Sequence, residues 1–242
     1  MIVLTNEKKL RYEKKYLISV KQARYLSHML DAICFKDSNA QNMEQYIVRS
    51  MYFDDYQGNA YNDNETGVDN RVKYRIRIYD NSPDYISMER KIKKGNKIGK
   101  DRVEIAKGFY DAVLNDKIEL LEYPDSNSMV NCFLTAYQTE YLRPMVIVDY
   151  VRKPYVYPEG DVRITFDEHI SFSNNVEKFF DKKLFLQPVL PEGMLLLEVK
   201  YTEFLPEFIH AQLERFNLQQ CTYSKYYLCE KYRRMGEYTY DI

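Results

Sequence analysis

Within residues 69–80, Arg71, Lys73, Arg75 and Arg77 alternate strictly with Val72, Tyr74, Ile76 and Ile78. A period of two marks a β-strand, and this strand carries a wholly cationic face. Lys73 to Arg77 span roughly 13 Å along such a strand. That is longer than one phosphate or carboxylate, so the row is sized for an extended polyanion. Guanidinium groups are permanently charged and forked, and they match phosphate oxygens in pairs.

The outer face of a half-exposed sheet shows the same alternation, so the weight lies on repetition. Ser87, Glu89, Lys91 and Lys93 alternate with Ile86, Met88 and Ile92, and Lys100, Arg102 and Glu104 with Val103 and Ile105. Arg163, Thr165 and Asp167 alternate with Val162, Ile164 and Phe166, and Glu198 and Lys200 with Leu197, Val199 and Tyr201. Near the start, Arg11, Glu13 and Lys15 alternate with Tyr12 and Tyr16. Carboxylates embedded among phosphate-binding cations point to Mg²⁺ or Mn²⁺, which bridge one or two carboxylates to substrate phosphates. The plainer account of any one glutamate is that it neutralises cations across the strands. Glu198 is taken as the metal candidate, with Glu13 and Glu89 as further ones.

These faces must be positioned by a sheet. Strands are expected at 46–54, 84–93, 145–157, 162–171 and 193–202, and helices at 19 or 20 to 35, 108–122, 128–141, 206–216 and 224–235. About eight strands with polar inward faces predict an α+β protein built on a closed antiparallel barrel. Its lumen is a basic tunnel, flanked by helices that include a C-terminal one. The chain of 242 residues has no Gly/Ser linker or internal repeat, which favours one tunnel domain over 1–242.

Lys and Arg number 35 against 36 Asp and Glu, a net charge of −1, so general attraction to nucleic acid is not expected. Acidic residues gather instead at Asp111, Asp116, Glu119, Glu122 and Asp125, and at Glu237 and Asp241, giving an acidic exterior around a basic interior. Cys34, Cys132, Cys221 and Cys229 lack CxxC spacing and read as buried free thiols. His28, His169 and His210 receive no role. Tyr74, Tyr79, Tyr150 and Tyr201 read as packing positions opposite the cations rather than base-stacking platforms. No signal peptide or apolar run of membrane-spanning length is evident, so a cytoplasmic location is expected.

Tyr12–Tyr16, Arg49–Asp54, Lys73–Tyr79, Glu89–Lys91, Val162–Asp167 and Leu196–Lys200, in this order, resemble the VTC domain. This is the polyphosphate polymerase domain of the vacuolar transporter chaperone type, found also as a stand-alone bacterial form, within the triphosphate tunnel metalloenzyme superfamily. The resemblance implies a tunnel enzyme that moves the γ-phosphate of ATP, or another nucleoside triphosphate, onto polyphosphate or a pyrophosphate primer with Mn²⁺ or Mg²⁺. Lys15, Arg75, Arg77, Lys91, Lys100 and Arg163 fall at positions similar to the family's phosphate ligands, Glu198 at its metal position, and Ser224 and Lys225 at its final phosphate contact. Arg75, Arg77, Lys91 and Arg163 are the expected clamp on the transferred group, with Lys73, Arg102 and Lys200 as further phosphate-binding cations.

The resemblance departs in two places. Thr222 stands where the fungal pattern has a lysine, and Arg11 stands where the hydrolytic branch places the first acid of its ExExK strand. Three classes stay open: polymerase, metal-dependent tri- or polyphosphate hydrolase, and non-catalytic polyphosphate binder. Membrane coupling, which the eukaryotic relatives use, would require a separate membrane-protein partner.

Overall fold

The computed structural model describes residues 10–36, 44–118 and 128–238. The described residues include ten strands: β1 (Arg11–Ser19), β2 (Phe35–Lys36), β3 (Tyr46–Asp54), β4 (Asn70–Tyr79), β5 (Ser82–Lys94), β6 (Lys97–Glu104), β7 (Arg143–Tyr157), β8 (Val162–Ser173), β9 (Gln187–Pro188) and β10 (Met194–Tyr201). They run in the order β7-β3-β4-β5-β6-β1-β10-β8, and β8 pairs back onto β7. Eight antiparallel strands thus close a ring, with β2 and β9 as short additions to β7 and β8. The expected closed arrangement is what the pairing shows.

Among the described residues, six α-helices surround or enter the ring: α1 (Val20–Ile33), α2 (Asn59–Glu65), α3 (Lys107–Leu114), α4 (Ser128–Thr139), α5 (Glu207–Arg215) and α6 (Lys225–Tyr238). α1 opens on a capping box between Ser19 and Gln22, which satisfies amide groups that the first turn leaves without partners. It stops at Ile33 instead of Phe35, because Phe35 and Lys36 pair with Val156 and Tyr155 on β7. α3 ends at Leu114 rather than near residue 122, where Asp116 takes φ 55°; positions 119–122 and Asp125 lie outside the described residues, as does Asp241. α2 was not foreseen. It has no apolar stripe, and its Ala60 and Tyr61 amides donate to the Asp54 carboxylate at the end of β3.

Period-two alternation sends apolar side chains outward, and helices cover them. One core joins Met51, Ile76, Ile78 and Met88 to Phe109 of α3 and Phe133 of α4. A second joins Ile18, Ile164, Phe166 and Leu197 to Leu26 of α1 and Leu213 of α5. The third lies inside the ring: Val146, Val148, Ile170, Phe172 and Leu196 pack against Tyr226 and Cys229 of α6. α6 therefore fills one side of the lower lumen, leaving the charged space along β4, β5, β6 and β1.

Tyr74 and Tyr201 pack outside as expected, whereas Tyr79 and Tyr150 line the lumen with the cations. Tyr79 shares the odd-numbered face of Arg75 and Arg77, so its own parity places it there. Cys229 is buried, while Cys34, Cys132 and Cys221 are half-buried and free. Asp111 and Asp116 are exposed, in keeping with an acidic exterior. No helix among the described residues is long and apolar enough to cross a membrane.

Candidate functional site

The lumen is a cavity of about 1000 Å³. Arg75 and Arg77 project into it from β4, each held by neighbouring strands. Arg75 donates through Nε and Nη2 to Glu89 Oε2 and through Nη1 to the Tyr52 hydroxyl at 2.8 Å. Arg77 donates to Ser50 Oγ at 3.0 Å and to the Tyr150 hydroxyl at 3.2 Å. A guanidinium has five N–H donors, so both keep N–H groups for a ligand while their orientation is fixed. Arg163 of β8 donates to the Tyr46 hydroxyl at 3.2 Å, placing a third guanidinium across the cavity.

Two carboxylate stations stand in this field. At the first, Glu89 is fully buried and takes Arg75 on one oxygen and Lys100 at 2.8 Å on the other, with Arg77 at 3.8 Å. Burial alone would raise its pKa, but Arg75, Arg77 and Lys100 together hold it well below the ordinary carboxylate range. At the second, Glu13 and Glu198 share two lysines. Lys15 lies 3.0 Å from Glu13 and 3.7 Å from Glu198, and Lys200 lies 3.4 Å from Glu13 and 2.5 Å from Glu198. Lys91 adds a contact to Glu13 at 3.0 Å. Burial and mutual repulsion raise the pKa of Glu13, yet Lys15, Lys91 and Lys200 pull it far down. Burial would raise Glu198 too, but Lys200 and Lys15 hold it well below the usual range.

The cations respond in the opposite sense. Burial, with Arg71 and Lys91 nearby, brings the Lys73 ammonium down to about 7. Burial brings Lys91 down to about 8, against the opposing pull of Glu13. Lys100 is pushed the same way, but its side chain keeps 40 % exposure, and water screens part of that effect.

The N-terminus of α6 closes the lower end. Ser224 Oγ accepts the Tyr227 amide at 3.3 Å and the Lys73 ammonium at 3.3 Å. Lys225 is neutralised by Asp167 at 2.5 Å, and Asp167 also takes both Nε and Nη2 of Arg152. Tyr226 donates to Asp54 at 2.5 Å and stacks on Tyr52 at 5.2 Å, and Lys15 donates to the Tyr223 carbonyl. Thr222 is exposed, and Lys73 places an ammonium beside the helix start.

Lys15, Lys73, Arg75, Arg77, Lys91, Lys100, Arg102, Arg163, Glu198, Lys200, Ser224 and Lys225 all border this one cavity, as does Glu13. Glu89 sits directly behind Arg75. Arg152, Asp167, Asp54, Tyr52 and Tyr226 were missed. The Arg163-Thr165-Asp167 alternation contained Asp167 without showing its partner, while Arg152 was hidden by its neighbour Lys153, which turns outward to Asp31 and Ser27.

Among the described residues no three His, Cys, Asp or Glu side chains form a metal cage. The donor set at Glu13 and Glu198, two carboxylates within reach of the same ammonium groups, fits Mg²⁺ or Mn²⁺ completed by phosphate oxygens and water. Glu89 fits less well, since the fork of Arg75 holds one of its oxygens through two N–H groups at fixed geometry, whereas Glu13 and Glu198 are held by single ammonium groups on flexible stems.

A family profile described as the VTC domain matches residues 10–232. No curated protein matches the sequence. Solved structures share the fold, among them these three. A candidate adenylyl cyclase from Hippeastrum, described as having a dominant triphosphatase activity, superposes with a TM-score of 0.52 at 14% identity, covering 92% of this chain and 95% of its own. A candidate adenylate cyclase from Bacillus halodurans gives 0.53 at 13% identity over 90% and 95%. Another from Vibrio parahaemolyticus gives 0.50 at 13% identity over 92% and 98%. At these identities the likeness is one of fold.

Proposed function

The chain belongs to the VTC domain family, and on that premise we propose that it is a phosphotransferase of the polyphosphate-polymerase type, moving the γ-phosphate of a nucleoside triphosphate such as ATP onto a polyphosphate chain. The observation that carries this reading is the pre-oriented row of Arg75 and Arg77 opposite Arg163, beside a carboxylate pair clamped by lysines. Phosphoryl transfer asks a protein for positioning and charge neutralisation more than for covalent chemistry, and the lumen offers both.

A terminal oxygen of the acceptor chain attacks the γ-phosphorus, the bond to the β–γ bridging oxygen breaks, and nucleoside diphosphate leaves while the chain lengthens by one phosphate. Arg75, Arg77 and Arg163 hold the equatorial oxygens, where charge accumulates. Lys15, Lys91, Lys100, Lys73, Arg102 and Lys200 carry the flanking phosphates, and Ser224 with the α6 N-terminus receives an end of the chain. Lys225, neutralised by Asp167, contributes by placing that helix start. Glu198, with Glu13, would hold Mn²⁺ or Mg²⁺, and the ion would supply charge neutralisation to the phosphates.

The fold shared with the Hippeastrum protein, described as a triphosphatase, supports hydrolysis as a second reading. Against it, Arg11 occupies the first position of the acidic strand and pairs with Asp161 at 2.9 Å, leaving one metal station rather than two. The deciding experiment incubates the protein with ATP and Mn²⁺, with and without pyrophosphate primer, and resolves products by chain length. Chain growth matched by nucleoside diphosphate, and lost in Glu198→Ala, supports the polymerase. Free phosphate without chain growth assigns a hydrolase, and tight polyphosphate binding without turnover leaves a binder.

A further inference from the structure

The cavity does not end where its cations end. One lumen-facing position beyond Arg77 comes Tyr79, and across the β4–β5 hairpin stands Tyr85, both lining the same cavity as the phosphate clamp. Their rings lie 6.2 Å apart, and Tyr46 meets Tyr79 edge-on at 5.7 Å. Asp84 stands at the rim, its carboxylate accepting from Ser82 Oγ at 2.7 Å. Arg102 also lines the cavity, and among the described residues it makes no hydrogen bond or ion pair.

This rim differs from the opposite end in ways that matter to a ligand. At the α6 end the tyrosines are spent: Tyr52 and Tyr226 stack on each other, and their hydroxyls engage Arg75 and Asp54. At the rim the Tyr79 and Tyr85 hydroxyls make no hydrogen bond among the described residues, and both side chains are only half-buried. A carboxylate repels a bare phosphate chain but accepts from sugar hydroxyls. Aromatic faces beside a planar guanidinium suit a heteroaromatic ring, and stacking of this kind tolerates any base.

Resting on the reading that the lumen takes a triphosphate, we propose that Tyr79, Tyr85, Arg102 and Asp84 form a nucleoside subsite: the base lies against the tyrosine faces, the ribose hydroxyls turn to Asp84, and the triphosphate points inward toward Arg77 and Arg75. The substrate is then a nucleotide entering from the β4–β5 hairpin side, and tyrosine contact confers preference for nucleotide over inorganic triphosphate.

The test compares ATP with inorganic tripolyphosphate by calorimetry, both with Mn²⁺, for the natural protein, Tyr85→Ala and Asp84→Asn. ATP affinity in Tyr85→Ala is expected to fall on the order of 10-fold, with tripolyphosphate affinity unchanged. A second readout exploits the absence of tryptophan from the chain: Tyr85→Trp places a single indole at the rim, whose fluorescence ATP should quench and tripolyphosphate should not. Unchanged ATP affinity, or equal losses for both ligands, overturns the subsite. If the natural protein binds neither ligand, the triphosphate reading of the lumen falls first and the subsite falls with it.

Discussion

Glu89 sits behind the lumen wall and the Glu13–Glu198 pair borders the lumen, all three with nearly buried carboxylates, yet they are built for different work. Glu89 is fastened by the fork of Arg75 and capped by Lys100; a fork that meets a carboxylate at fixed geometry is slow to let go. Glu13 and Glu198 are held by Lys15, Lys91 and Lys200, single ammonium charges on flexible stems. A phosphate chain can draw those ammonium groups onto itself and free the carboxylates for a divalent ion. The partner's chemistry, more than the acid, separates a structural station from an exchangeable one.

Glu89→Ala should produce the largest effect, because it strands Arg75 in the closed ring; a cost of about 3–5 kcal/mol is expected, read from urea unfolding. A stable Glu89→Ala protein that had lost Mn²⁺ binding would reverse the roles of the two stations. Glu198→Gln should leave stability nearly intact while lowering turnover by about 10²–10³-fold and weakening Mn²⁺ binding in the presence of tripolyphosphate. Lys200→Met sharpens the contrast: with one competing ammonium gone, Mn²⁺ should bind without phosphate on the order of 10-fold more tightly, whereas Lys100→Met at the first station should leave Mn²⁺ affinity where it was.

Protonation provides a gentler probe. Lys73 and Lys91 titrate at about 7 and about 8 in the ligand-free lumen, and a bound polyanion restores their charge. Binding therefore takes up protons, and polyphosphate affinity should fall as pH rises from 6 through 8, visible as a buffer-dependent enthalpy in calorimetry. The smallest effect belongs outside the ring. Lys107→Ala breaks an exposed pair with Asp111 at 2.8 Å and should cost less than about 0.5 kcal/mol.

Much of the wall could be read from the sequence because the lumen-facing charges on β4, β5, β6, β1, β10 and early β8 recur at every second position, even though Lys14, Arg90 and Asp101 interrupt the apolar alternation between them, Arg90 pairing with Asp101 across β5 and β6. The alternation fails where tertiary geometry intervenes. β8 changes phase at His169, whose φ is 54°, and beyond it Ile170 and Phe172 face the lumen to receive α6. Adjacent cations at Arg152 and Lys153 point to opposite sides, which blurs a period-two pattern. Tyr79 was readable and misread. The Asp54–Tyr226 contact joins a strand end to a helix 172 positions away, and no local pattern encodes such a pairing.

The ring also sets an order of assembly. The hairpins from β4 to β6 pair neighbours in sequence and can form early, with Arg75, Glu89 and Lys100 already in place. Glu13 and Glu198 lie 185 positions apart and meet only when β1 pairs with β10, a long-range closure that is slow to form. A growing chain thus acquires its anion-attracting wall before the Glu13–Glu198 pair is assembled. If that pair is the cation site proposed above, the capacity to hold a divalent ion arrives only with the last strand of the ring.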